Sequence, residues 1–565
     1  MFGVSRRESR TTCTALHGPL RAVQYRVHPT VDVVGGAIPT VVPGPRLSGT
    51  ARVSQVSLLT QASRGKLPAM SKLFGLLVIA ACGDNLESAP DAQPVVVPDV
   101  VPHCEEIPAP ANAFATAADF GPMATGTLAG WDPDGRWSLT GVRVGGISSF
   151  HFEVRGADVI VDRDEEVPGS LTSDALFYRV EFSTPDGPIV IAKRVSNLRA
   201  DGSLRADRAV CEGDACVVCT AKLVRATHNA GEGESSGLAL VGELRGASWG
   251  AGFTFNVRVA GTLAYLIRQD GLHIIETADP AHPVELGSWK RAGDGYSNDV
   301  KIVEANSKRY ALIADSPVDV VDVTDPTMPR LVAQIAEEAH TLFTEARGGK
   351  QYAYFGNYDG SCPVFDVSNP EQPVRVGRFM TEGSIVHDLM VDNGIAYLNA
   401  WEAGLYIVDF TNPAASFQVG RAETTTANTS HSSWATTAGG RKVVLHGGEN
   451  YGAHLDVLDA DPQSPTFTQK LGSYTTRDHV SIHNVMAIGD RAYFTYYQDG
   501  VRVVSLADPT NPTQLGYFNT WDPQAATSSG RFFEGAVGLD VDPVRKLIFV
   551  ADSPRGLLIL RDNTP

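Results

Sequence analysis

The C-terminal half of the chain repeats one pattern of apolar and turn residues. In residues 402–420, a turn at Gly404 precedes the apolar strand LYIV, an Asp ends that strand, and an Asn-Pro turn leads to a short second strand. Copies of this phrase place the proline of an Asp-Pro or Asn-Pro turn at Pro280, Pro326, Pro370, Pro413, Pro462 and Pro509. Successive prolines are 43 to 49 residues apart. Six copies at a nearly constant period indicate a repeat protein.

Each period holds more strands than the phrase itself. In the fourth copy, 386–394 predicts a strand and turn, 395–404 a second strand, GLYIVDF a third and SFQVG a short outer fourth. Four antiparallel strands in about 45 residues are typical of a propeller blade. The first strands are predicted to begin near Phe253, Asn298, His340, His387, His431, His483 and Glu534. The sequence therefore predicts seven blades over residues 237–565.

The two ends of this region complement each other. The last copy stops after its third strand, and residues 237–246 (GLALVGELRG) are similar to the fourth-strand phrase PVELGSW at 283–289. We therefore expect Leu240–Leu244 to lie beside Leu557–Leu560, so that the N-terminal strand completes the last blade. Such closure removes an open sheet edge that would otherwise pair with another chain.

A second β-rich region precedes the repeats, at residues 113–235. Alternating apolar segments at 150–154, 159–161, 177–182 and 189–193 are separated by Gly, Pro and Asp turns. This pattern predicts a small antiparallel sandwich or barrel. The expected fold class is all-β: a seven-bladed β-propeller preceded by a small β-sandwich or barrel-like domain.

The N-terminal segment has a different character. Residues 1–69 are basic and show no strand or helix period, and we interpret them as mis-annotated upstream sequence. Residues 70–81 (MSKLFGLLVIAA) combine a charged start with a short apolar core and small residues before Cys82. This resembles a bacterial lipoprotein signal, which implies lipidation of Cys82 and, with Gly83 next, an outer-membrane destination. The Pro- and Val-rich stretch within 82–112 predicts a tether.

Charge and hydropathy exclude some classes of partner and of membrane attachment. The formal net charge is −17. Residues 1–81 hold ten Lys/Arg and two Asp/Glu, so the remainder carries 37 basic against 62 acidic residues, or −25. An acidic chain of this kind repels phosphate backbones, which argues against nucleic acid as a partner. The sequence has no apolar run of 18 residues, so no transmembrane helix is expected.

Four cysteines fall in or near the β-rich region, at Cys104, Cys211, Cys216 and Cys219. A thiolate metal site would need a further nearby CxxC or His pair, which is missing. In an exported protein we expect disulfides instead, and three pairings are open. Cys362, inside the repeats, is predicted to be a buried thiol.

One set of residues could bind a ligand. Aligning the first strands places four histidines at one equivalent position, with other residues in the remaining blades: His340, His387, His431 and His483, then Phe255, Asn298 and Glu534. Innermost strands line the channel of a propeller, so these side chains are expected to ring one mouth of it. They either make structural contacts between blades or bind zinc, iron or another divalent ion.

Catalytic motifs are missing from the sequence: it has no credible nucleophile elbow, phosphate-binding loop or zinc-protease motif. Trp401, Tyr451 and Trp521 are predicted to lie in loops between strands, where they either line a recognition surface or cover blade ends.

The phrases GLYIVDFTNP and GLHIIETADP resemble the LVIVD repeat of bacterial and archaeal surface proteins. The resemblance implies a propeller displayed outside the cytoplasm and implies no agreed reaction. We therefore expect a protein anchored by Cys82 in the bacterial outer membrane or at the cell surface. Its favoured role is a binding module for an envelope protein or glycan; the alternative is a metal-dependent enzyme with a histidine-ringed site at the channel mouth.

Overall fold

The computed structural model describes residues 100–565, apart from 141–148, 156–157, 162–166, 185–186, 248, 250–251, 292–296, 426–427, 451, 478–479 and 524–533. The segments predicted at 1–69 and 70–81, together with Cys82 and Tyr451, lie outside the described residues. Within the described ranges the regular structure is strand, apart from short 3-10 helices at Ala117–Phe120, Trp401–Ala403 and Pro413–Ala415. The all-β fold class is therefore confirmed. No helix in these ranges has the length and hydropathy needed to cross a bilayer.

The first domain is a closed barrel. Its strands are β1 His103–Pro108, β2 Gly135–Thr140, β3 Ser149–Arg155, β4 Asp158–Val161, β5 Val167–Leu171, β6 Ala175–Thr184, β7 Gly187–Ser196, β8 Leu204–Glu212 and β9 Ala215–Arg225. Strands β2 to β9 follow one another around the sheet, and β9 pairs with both β8 and β2, which closes it. Side chains such as Trp137, Phe152 and Leu176 fill the interior. Of the two predicted architectures, sandwich or barrel, the structure is the barrel.

Two disulfides connect neighbouring strands of the barrel. Cys104 on β1 lies opposite Cys219 on β9, and Cys211 on β8 lies opposite Cys216 on β9. These two pairs are bonded. Sequence alone left three pairings open, because the pairing depends on which strands become neighbours.

The predicted tether at 82–112 is too long at its C-terminal end. Residues His103–Pro108 form β1, which pairs along the first half of β9. Its residues are mostly exposed, so hydrophobic patterning carried no signal of a strand there. The Cys104–Cys219 disulfide and the free edge of β9 hold this segment in the sheet.

The second domain is a propeller of seven sheets. The first four blades consist of β12 Thr254–Ala260, β13 Leu263–Arg268, β14 Gly271–Glu276 and β15 Val284–Trp289; β16 Asp299–Ala305, β17 Lys308–Ala314, β18 Val318–Asp322 and β19 Arg330–Ile335; β20 Ala339–Arg347, β21 Lys350–Asn357, β22 Ser361–Asp366 and β23 Val374–Met380; and β24 Asp388–Asp392, β25 Ile395–Asn399, β26 Leu405–Asp409 and β27 Phe417–Ala422.

Blades five and six follow the same order, and blade seven borrows a strand. They consist of β28 Ser432–Ala438, β29 Arg441–Gly447, β30 Leu455–Asp459 and β31 Lys470–Tyr474; β32 Val485–Ile488, β33 Arg491–Thr495, β34 Val501–Ser505 and β35 Thr513–Phe518, with β10 Ser235–Ser236 outside it; and β36 Ala536–Asp542, β37 Leu547–Asp552, β38 Gly556–Asp562 and β11 Leu238–Leu244. Leu240 lies opposite Leu560, and Leu244 lies opposite Leu557. The predicted closure of the ring is confirmed.

The third strand of each blade packs against two neighbouring blades. In β26 all four apolar residues are almost completely buried. Tyr406 and Val408 pack with blade three, and Leu405 and Ile407 pack with blade five. Strand alternation therefore directs side chains to two neighbouring blades, not to core and solvent, which is why all four residues before Asp409 are apolar.

The glycine of the fourth strand has a packing role. A Cβ on Gly377 would lie 2.0 Å from the carbonyl oxygen of Pro413 in the next blade. The same contact joins Gly242 to Pro280 and Gly472 to Pro509: a Cβ on these glycines would lie 2.0 and 2.5 Å from the proline carbonyl oxygens. The glycine and the proline of the repeated phrase are thus two halves of one contact between blades.

We expect Gly377→Ala to lower the free energy of unfolding by about 1–3 kcal/mol, because the methyl group forces two backbones apart. Thermal and urea denaturation would measure the change. Gly233→Ala is the matched control, since a Cβ there meets nothing within 4 Å. Equal stability of the two variants would contradict the close contact.

Candidate functional site

The predicted histidine position exists in the structure. His387, His431 and His483 each precede the innermost strand of their blade, and their backbone N–H groups donate to the second strand over 2.8 to 2.9 Å. His340 occupies the same register, in a bulge between Ala339 and Thr341. Because the innermost strands of neighbouring blades contact one another, the four imidazoles meet where these strands begin. We call this end of the channel the mouth.

The imidazoles form a continuous arc across blades three to six. Ring centroids are 4.1 Å apart for His340 and His387, 4.4 Å for His387 and His431, and 4.5 Å for His431 and His483. The arc continues at both ends. Asn298 Nδ2 lies 2.6 Å from His340 Nδ1, and His483 Nδ1 lies 2.7 Å from the carbonyl oxygen of Val537.

Glu534 was assigned to the wrong register. The residue in the bulge between Ala536 and Gly538, which corresponds to His340, is Val537. Glu534 instead accepts a hydrogen bond from the guanidinium of Arg136 in the barrel. Its Oε2 also accepts a hydrogen bond from Trp521 Nε1 over 3.1 Å. The predicted position in blade seven is therefore three residues too early, because the bulge was not anticipated. Phe255 does occupy the predicted position in blade one.

A second set of side chains covers the histidines, and sequence analysis missed its most informative member. In each of blades three to six, the residue after the histidine faces a residue near the end of the second strand. Two residues further along the chain lie the members of this second set: Tyr358, Trp401, Glu449 and Tyr497. Each contacts the histidine of its own blade: Tyr358 reaches His340, Trp401 stacks on His387 with ring centroids 4.6 Å apart, and Tyr497 lies 4.8 Å from His483. Aligning the ends of the second strands, as was done for the first strands, would have found Glu449.

Glu449 lies among three imidazoles. Its Oε2 is 3.9 Å from His387 Nε2 and 3.5 Å from His431 Nε2, and its Oε1 is 3.7 Å from His483 Nε2. The hydroxyl of Tyr497 donates a hydrogen bond to Oε1. Among the described residues, the ion-pair contacts of Glu449 are to these histidines alone, with no lysine or arginine.

Burial keeps the charges of this cluster low. It raises the pKa of Glu449 to about 7, against the opposing effect of the Tyr497 hydrogen bond. Burial lowers the pKa of His340 and of His483 to about 4, and it holds the pKa of His387 and of His431 well below the ordinary value. The imidazoles are therefore neutral at pH 7, which is the form that binds metal ions.

The next residues along the innermost strands serve the fold. Asp299 accepts hydrogen bonds from Asn256 Nδ2 at 2.8 Å and Thr341 Oγ1 at 3.0 Å, and it pairs with Lys301. Asp388 accepts a hydrogen bond from Thr341 at 3.2 Å. This buried network connects blades one to four and has its own donors, so it is distinct from the histidine arc.

The other residues singled out from the sequence lie in different parts of the structure. Trp401 belongs to the mouth, whereas Trp521 is buried against the barrel, with the Arg136 guanidinium 5.3 Å from its ring. Cys362 is buried with a free thiol, as predicted. Tyr451 is outside the described residues.

Comparison with protein families bears on these blades. The family model of the LVIVD repeat matches residues 251–290, 294–336, 349–381 and 383–424. Four blades of the propeller are LVIVD repeats. They are blades one to four, so the histidine arc spans two LVIVD blades and two more divergent ones.

Other comparisons are distant. No curated protein matches the chain. Among solved structures, BamB from Moraxella catarrhalis aligns with 55% of this chain and 83% of its own, at 12% identity and a TM-score of 0.36. The computationally designed protein Ika8 aligns with 70% of this chain and 95% of its own, at 10% identity and a TM-score of 0.38.

Proposed function

We propose that this LVIVD propeller is an extracytoplasmic binding module whose recognition surface is the mouth of the channel. The observation that carries the proposal is the double arc of imidazoles and covering side chains on blades three to six. Tyr358 is 38% exposed, Trp401 and His340 are half-buried, and the His387 side chain is 12% exposed. Aromatic side chains held on rigid strand ends give large contact area at low entropic cost, which suits an envelope protein or a glycan as the partner.

Location outside the cytoplasm is part of the proposal. The two disulfides of the barrel support it, because such bonds persist in oxidising compartments. The lipoprotein-like sequence before Cys82 supports a lipid anchor in the outer membrane or at the cell surface. A Cys82→Ser variant would then move from the membrane fraction to the soluble fraction of the cells.

The test places a photoactivatable benzophenone side chain at Tyr358 in the producing cells. We expect one discrete cross-linked product in the envelope fraction, and we expect Trp401→Ala to reduce it because that ring forms the centre of the surface. Val544 is the control site: it is 91% exposed and lies in the turn after β36, beyond the end of that strand that points away from the mouth. Equal cross-linking at both sites, or none at either, would contradict the proposal.

The second candidate is a metal-dependent enzyme that acts at the same mouth on an extracellular small molecule. The observation in its favour is the carboxylate of Glu449 among neutral imidazoles, which provides both metal ligands and a titratable group. A cross-linked partner that persists in a His431→Ala/His483→Ala variant favours the binding module. Loss of a hydrolytic activity in the same variant favours the enzyme.

A further inference from the structure

Three ligand-type atoms converge beside the channel mouth. One nitrogen each from His387 and His431 and one carboxylate oxygen of Glu449 lie within 4.8 Å of one another. We propose that these three residues bind a divalent transition-metal ion through His387 Nε2, His431 Nε2 and Glu449 Oε2. This site goes beyond the binding role argued above and does not depend on it, since a bound ion can shape a recognition surface or support a reaction.

The distances suit one ion. Ligand atoms about 2.0–2.1 Å from zinc, at tetrahedral angles, lie roughly 3.3 Å apart. Glu449 Oε2 is 3.5 Å from His431 Nε2 and 3.9 Å from His387 Nε2. The third separation, between the two imidazole nitrogens, is within 4.8 Å. Side-chain rotations that move these atoms by about an ångström would bring all three to the spacing of a zinc site.

The buried carboxylate of Glu449 is placed where a cation would stabilise it. Glu449 is only 8% exposed, and its ion-pair contacts among the described residues are to three imidazoles, with no lysine or arginine. A buried carboxylate without a positive partner is costly. A metal ion offsets the carboxylate charge and binds the Nε2 lone pair of each ring.

Neighbouring side chains hold the ligands in place. Tyr497 donates to Glu449 Oε1, and His483 Nε2 lies 3.7 Å from the same oxygen, so Oε2 is left facing His387 and His431. Trp401 stacks on the His387 ring at an interplanar angle of 27°. Partners that orient metal ligands in this way strengthen binding.

His340 is excluded from the ligand set although it belongs to the arc. Its Nδ1 lies 2.6 Å from Asn298 Nδ2 and 2.9 Å from the Tyr358 hydroxyl. Its Nδ1 is therefore already engaged, and the described ion-pair contacts of Glu449 do not include His340. The metal site thus comprises three protein ligands, not a ring of four histidines.

Two imidazoles and one carboxylate define the kind of ion. This ligand set is used by zinc sites that keep one position open and by non-haem iron(II) sites. Hard ions such as Mg²⁺ and Ca²⁺ prefer oxygen ligands throughout. We therefore expect a first-row transition ion with at least one coordination position directed at the mouth.

The test uses the full chain, purified without a polyhistidine tag or chelator and then dialysed with Zn²⁺ or, under anaerobic conditions, Fe²⁺. Elemental analysis should find about one ion per chain in the wild type. Glu449→Gln and His431→Ala should retain almost none. Tyr497→Phe should weaken Zn²⁺ binding about 10- to 100-fold, because the carboxylate loses its orienting hydrogen bond. His340→Ala should bind the ion as the wild type does.

Several outcomes would overturn the proposal. These are less than a tenth of an ion per chain in the wild type with every ion tried, unchanged binding in Glu449→Gln, or loss of the ion in a folded His340→Ala variant. Co²⁺ added to the wild type provides a readout that needs no substitution. Intense visible d–d absorption, abolished by excess Zn²⁺, supports a site of low coordination number, and the weak spectrum of hexaaqua cobalt contradicts it.

Discussion

Removing the Cys104–Cys219 disulfide should lower the free energy of unfolding of the barrel by about 4.8 kcal/mol in the loop-entropy description. The two cysteines are 115 residues apart, so the crosslink restricts almost the whole barrel in the unfolded chain. It also attaches β1, which is mostly exposed and buries few apolar atoms of its own. Urea denaturation of a Cys104→Ala/Cys219→Ala variant measures the loss.

The second disulfide provides the comparison within the same domain. Cys211 and Cys216 are five residues apart and lie opposite each other at a hairpin. The same description expects about 2.1 kcal/mol from a loop of this length. Alanine is the replacement in both pairs because it adds no buried hydroxyl at Cys211 or Cys216. Equal losses of unfolding free energy in the two double variants would show that loop entropy does not determine how much each disulfide stabilises the barrel.

Arg136→Met should destabilise the protein by about 3–5 kcal/mol, because it removes the guanidinium that pairs with the buried Glu534 carboxylate. The side chains of Arg136 and Glu534 are 1% and 3% exposed, and the pair joins strand β2 of the barrel to the start of blade seven. The Arg136 guanidinium also lies over the Trp521 ring. Calorimetry should show a lower transition temperature in the single variant.

The double variant Arg136→Met/Glu534→Leu tests the cause. Replacing both members of a buried ion pair by apolar groups removes the uncompensated charge, so most of the stability should return. A double variant that is as unstable as Arg136→Met alone would show that packing of the arginine side chain, and not its charge, holds the two domains together.

Much of the propeller could be predicted from local patterns. The period of the phrase around Leu405–Asp409 predicted the blades, and the missing strand of the last blade predicted its pairing with Leu238–Leu244. The common position of His387, His431 and His483 was also predicted, because a repeat carries its register with it. The packing role of the repeated glycine was not predicted, because the carbonyl oxygen that it contacts belongs to the next blade.

Each error has its own physical cause. Val537 replaces Glu534 at the mouth because a bulge changes the register without a sequence signal. Glu449 escaped notice because its loop has an acid where the neighbouring blades have aromatic residues. The strand β1 escaped notice because a disulfide and a free sheet edge hold it, not an apolar face.

By itself the sequence determined the all-β class, the seven blades, the closure of the ring and the set of equivalent histidines, since strand alternation and repeat period are properties of short segments. The tertiary structure alone decided which carboxylate meets those histidines and which one binds the barrel. Glu449 and Glu534 differ in partners, not in local sequence character, and the partners come from other blades and another domain. Such contacts depend on which strand ends of different blades and domains meet in space, which no local pattern records.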